Sequence, residues 1–128
     1  MDPQIISVIA STAVGFLSSF LAKAGDAAAK KAGEDIFETL KARIGKKPAA
    51  QEALADLEKA PDDADLQVAL RVQLKKLLEE DKAFATQLQQ LLQEAGKTEA
   101  GATIIKQVAG NNAKQFGQVF GNVTFGKD

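Results

Sequence analysis

From Pro3 to Ala22 the chain runs for 20 residues without a charge. As an α-helix rising 1.5 Å per residue, such a run is roughly 30 Å long, about the thickness of a bilayer's hydrocarbon core. Ile5, Ile6, Val8, Ile9, Val14, Phe16, Leu17, Phe20 and Leu21 dominate it, and a helix that is almost entirely apolar needs burial among other helices or in lipid. Asp2 can cap its start, and Pro3 suits the first helical position. A signal peptide usually opens on basic residues, whereas Asp2 precedes this run and the first Lys is Lys23. Gln4, Ser7, Ser11, Thr12, Ser18 and Ser19 dilute the apolar content that a constitutive span would want. Ser7, Ser11, Gly15 and Ser19 recur at i, i+4 steps. This is a small-residue packing stripe that lets another helix approach closely, in water or in lipid. Two readings follow. In one, the run is a core helix wrapped by four amphipathic helices. In the other, that core helix is a resting state, and the helix can leave the bundle for a membrane.

Four further segments read as helices. The second runs from about Asp26 to Ile44, with Ile36, Phe37, Leu40 and Ile44 on one face and Gly45 ending it. Pro48 starts a short third helix through Leu54 and Leu57. Pro61-Asp62-Asp63 starts a fourth, with Leu66, Leu70, Leu74, Leu77 and Leu78 in register. Asp81 caps a fifth that carries Phe84, Leu88, Leu91, Leu92 and Ala95 and closes at Gly96. The fold expected is all-α: a bundle of about five helices over residues 1–96, with Leu70, Leu74, Leu77, Leu88 and Leu91 in its core. Residues 97–106 read as a linker, β-prone at Thr103-Ile104-Ile105.

Cysteine, histidine, tyrosine and tryptophan are all absent. That excludes disulfides, the usual zinc sites and thiol chemistry, and it removes the side chain that most often moves protons near neutral pH. The carboxylates, lysines and hydroxyls that remain form no catalytic pair at useful spacing, so neither an enzyme nor a cofactor site is expected. A formal net charge of −1 gives no global field for nucleic acid. The charges are unevenly spread, however. Lys23, Lys30, Lys31, Lys41, Arg43, Lys46 and Lys47 face Asp26, Glu34, Asp35 and Glu38 in one stretch. In the next, Glu52, Asp56, Glu58, Asp62, Asp63 and Asp65 surround Lys59. Ordinary solvated helix faces account for this split. A membrane-active chain would instead bring the basic stretch to anionic headgroups, at about 1 kcal/mol per residue.

The end of the chain has a different chemistry. Residues 115–125, from Gln115 to Phe125, hold no charge and no proline and mix Gln and Asn with Phe, Val and Thr. Such a composition suits identical chains stacked in register, with amides laddering along a fibril and aromatics interdigitating between sheets. Val108-x-Gly110-Asn111 is echoed by Val119-x-Gly121-Asn122, and a Phe-Gly pair follows each time (Phe116-Gly117 and Phe125-Gly126). Glycines there let a strand reverse, giving a short β-arch. Lys114 copies stacked about 4.8 Å apart would repel by about 0.9 kcal/mol in water, so Lys114 must face solvent in a stack. A loose terminus or a self-paired hairpin also fits, since Asn-Asn and Gly-Asn are turn signals.

Taken in order, the hydrophobic first helix, the Ala/Lys/Asp/Glu-rich bundle and the Gly/Asn/Gln tail resemble the bacterial Bell domains. These are thought to be analogues of the fungal HeLo and HeLo-like cell-death domains, and they are followed by amyloid signalling motifs. The tail is similar to the RHIM-like class. Gln115-Phe116-Gly117 matches the last three positions of its core, and Lys114 stands where an aliphatic residue is usual. The resemblance implies a membrane-targeting domain over 1–96 and a motif over 107–128. The motif would comprise Asn111, Asn112, Gln115, Phe116, Gly117, Gln118, Val119, Phe120, Gly121, Asn122, Val123 and Phe125. It further implies a cell-death effector, cytoplasmic at rest, whose tail is templated by an NLR-type receptor with a related motif. Clustering through the tail would then drive the helical domains into the inner membrane. An adaptor that polymerises through its tail, or a plain helical protein with a hairpin tail, are the other readings.

Overall fold

The computed structural model describes residues 3–22, 27–97 and 99–109, and all the regular structure among them is helical. Six helices follow one another: α1 (Pro3–Leu21), α2 (Ala27–Ile44), α3 (Pro48–Lys59), α4 (Ala64–Glu80), α5 (Lys82–Gly96) and α6 (Glu99–Ala109). Local chemistry sets most of these ends. Pro48 sits in the first turn of α3, where its missing N–H costs nothing. The Asp63 carboxylate accepts from the Asp65 and Leu66 amides at 2.9 and 3.2 Å and so caps α4. Asp81 does the same for α5 through the Phe84 amide at 3.0 Å. Asp2 and Asp26, expected at the starts of α1 and α2, lie outside the described residues.

α1 is the axis of the bundle. It packs against α2, α4, α5 and α6, while α3 lies mainly on α4. Ile6, Val8, Ile9, Val14, Phe16 and Leu17 are buried in one continuous core with Ile36, Leu40, Leu57, Leu70, Leu74, Leu88 and Leu92. Ile5, Phe20 and Leu21 are half-buried at its edge. Leu70, Leu74, Leu77 and Leu88 are core residues as expected, whereas Leu91 is half-buried against the core. Thr12 is fully buried and satisfies its hydroxyl on the Val8 carbonyl one turn back, at 2.7 Å.

The stretch expected to be a linker is a helix. α6 occupies residues 99–109, buries Ile104 and Ile105, and packs Val108 against the core. The β-branched run Thr103-Ile104-Ile105 lowers intrinsic helix propensity, but an apolar face docked on a bundle outweighs that preference. The four helices around α1 are therefore α2, α4, α5 and α6, with α6 in the place expected for α3.

Candidate functional site

The serine-rich side of α1 does not sit against a fully packed neighbour. Ser7, Ser11, Gly15 and Ser19 are all half-buried, and together with Gln4, Val8, Val14 and Ser18 they form one wall of an open groove of about 770 Å³. Asp62, just before α4, and Ala64, Gln67, Val68 and Arg71, in its first two turns, form the opposite wall, and Ile104 and Val108 of α6 close the third side. Gly15 meets α6 at Val108 and Ile104. A Cβ there would collide with Val108 Cγ2, so only glycine allows this approach. Of the stripe, then, Gly15 faces α6, and the serines line the groove.

Chemically the groove is quiet. Its lining is serine hydroxyls, amides and aliphatic groups, with Asp62 and Arg71 as its charged residues. The Ser18 hydroxyl oxygen is buried without a hydrogen-bond partner among the described residues. Val68 and Val72, one helical turn apart on α4, are the large hydrophobics left exposed among the described residues. No cluster of metal-ligating side chains occurs among those residues.

The sequence did not point to the α4 wall, because Val68 falls outside the leucine register that marks the core side of that helix. Its i, i+4 spacing to Val72, the other exposed valine of α4, was the available signal. Val108 was read as the first residue of the tail echo, yet it belongs to α6. The motif residues Asn111, Asn112, Gln115 to Val123 and Phe125 lie outside the described residues.

The basic residues of α2 and of its link to α3 are largely surface groups, and two have partners elsewhere in the bundle. Arg43 reaches Asp81 at 2.7 Å and lies over the Phe84 ring at 5.3 Å. Lys47 reaches Glu80 at 2.9 Å. Lys41 sits 5.2 Å from the centre of the Phe37 ring, which itself meets Phe20 of α1 at 5.8 Å between centres. These contacts fasten α2 across the end of α1 and the α4–α5 corner.

Among the described residues, α1 is the one helix long and apolar enough to cross a membrane, and half of its apolar window is buried in the bundle. The fold and the groove define a small helical bundle built around one apolar helix. No family model, curated protein or solved structure matches the chain.

Proposed function

We propose that this chain is a cell-death effector of the kind the Bell-like resemblance implies. Its tail stacks on a template offered by an NLR-type receptor, and the clustered helical domains then disrupt the inner membrane through α1. The observation that carries the reading is the pairing of two features in one short chain. One is an uncharged helix of membrane-spanning length, held in a water-facing bundle by helices that are themselves amphipathic. The other is an uncharged Gln/Asn/Phe/Gly segment suited to in-register stacking. Neither feature needs the other in a plain structural bundle. An adaptor would need the second but not the first.

In this reading the groove is where α1 is least enclosed, and its small residues allow a second helix to approach once the domains are crowded. The exposed lysines of α2 that lack a cross-bundle partner would meet anionic headgroups.

The test is dye release from anionic vesicles by the full chain, with Gln115→Asp and Gly117→Pro as comparisons. Stacking the first variant would place a charge in every layer, and the second would remove a backbone donor and impose a fixed φ. Both should lose fibrils and leakage together. Leakage at parental rates from a variant that makes no fibrils would separate membrane attack from assembly and defeat the reading.

A further inference from the structure

Among the described residues, α6 adds little to the core it rests on. It lies on α1 and also touches α5 and α2. Of the buried hydrophobic core only Ile104 and Ile105 belong to it, with Val108 packed half-buried beside them. The rest of that core comes from α1 to α5, which pack on one another. We propose that α6 is a releasable latch on α1: it undocks and unwinds as one unit while α1 to α5 stay folded, and its release bares the Gly15 side of α1. This goes beyond the functional reading above, because it concerns the monomer and stands whether or not the chain ever meets a membrane.

Length makes the unit cooperative. α6 has 11 residues, short of the roughly 12–15 that an isolated helix needs even in Ala-rich sequence. Gly101 and the run Thr103-Ile104-Ile105 lower its intrinsic helicity further. Off the bundle nothing holds it helical, so undocking and unwinding are one event. A segment that buries few apolar side chains opens at the low end of a protein's range of local stabilities. Geometry defines what the latch covers. Ile104 and Val108 stand over Gly15, where a Cβ would collide with Val108, and the same two residues close the third side of the groove between α1 and α4. With α6 away the groove loses that side. The stripe of Ser7, Ser11, Gly15 and Ser19 is then open to the close approach of another helix.

Native-state hydrogen exchange of the full chain tests this. The amides from 103 to 108 should share one opening, with protection about 100-fold or more below that of Leu74, Leu88 and Leu92. Substitutions in α3, which lies mainly on α4, separate that opening from unfolding of the bundle. Leu57→Ala should lower the protection of the α4 and α5 amides by about 30-fold or more. Ala53→Gly, a milder change in the same helix, should lower it by about fivefold and keeps the test available if Leu57→Ala does not fold. Neither should move the protection of α6, because the bundle stays folded when the latch opens. Val108→Ala should instead speed exchange by one common factor along the whole of 103–108. Protection in α6 equal to that in α5 overturns the proposal. So does a loss of α6 protection in step with α4 and α5 in the α3 variants, since α6 would then open only when the bundle unfolds. Protection that rises step by step from 108 back to 103, with Val108→Ala felt only in the last turn, would be end fraying and overturns it as well.

Discussion

Gly33 and Gly15 each sit in a close contact between α1 and a neighbouring helix, and they differ in what they meet. A Cβ on Gly15 would strike the end of the Val108 side chain, whereas one on Gly33 would strike Phe20 Cβ and come within 2.9 Å of Phe20 Cγ. The Phe20 Cβ is fixed to the α1 backbone, so relief there requires α1 and α2 to move apart. Gly33→Ala gains about 1 kcal/mol in helix propensity and loses about 1–3 kcal/mol by overpacking. We expect the loss to win, with a melting temperature a few degrees below the parent by circular dichroism. A variant that melts at or above the parent would mean that the two helices are not in such close contact. Asp81 shows the opposite kind of economy, in which one side chain serves three elements. One carboxylate oxygen caps α5 on the Phe84 amide, and the other holds Arg43 of α2 at the end of α4.

At the scale of elements, the helices that were legible in the sequence are those with a start signal and a leucine or isoleucine repeat. Pro48, Asp63 and Asp81 each stand at a helix start, and Ile36-Leu40-Ile44 and Leu70-Leu74-Leu77 face the core as their spacing requires. α6 was not legible, because Gly101 and three consecutive β-branched residues weaken its intrinsic preference for helix and its stability comes from docking. The groove was half legible. The serine spacing announced a close-packing face on α1, but which helices would border it depends on tertiary arrangement that no local pattern encodes. The consequence for domain limits is testable. Burial of Ile104 and Ile105 contributes about 1.5–3 kcal/mol each, before subtraction of the entropy of ordering α6. A fragment covering residues 1–109 should therefore melt several degrees above one covering 1–96, and the shorter fragment should bind more of a dye that reports exposed apolar surface. Equal melting of the two would return 97–109 to the role of linker.

At the scale of the whole molecule, the proposed function asks α1 to exchange one burial for another, so the decisive experiment must stop that exchange without damaging the core. Deleting the first residues does not qualify, since Ile6, Val8 and Ile9 are core residues. A charge at Val14 would cost about 2.5–3.5 kcal/mol on insertion into lipid, but Val14 is buried in the bundle too. The contact between α1 and α6 offers a better handle. A Cβ built on Gly15 lies 3.8 Å from Val108 Cβ, the usual spacing across a disulfide. In Gly15→Cys/Val108→Cys the offending valine methyl is gone, and the chain has no other cysteine to mispair with. Oxidation would then tie α6 to α1, and reduction would release it in the same sample. Dye release from anionic vesicles should be lost on oxidation and return to the parental rate on reduction. Fibrils should form in both states, because the uncharged stacking segment from Gln115 to Phe125 is unchanged and Val108 is the one altered position of the motif. Full leakage from the oxidised protein would show that α1 need not part from α6, and the membrane role would then pass from α1 to another surface of the bundle. Loss of fibrils on oxidation would carry a different meaning: stacking of the tail would itself require α6 to leave α1, and release of the helix and assembly of the motif would be one event.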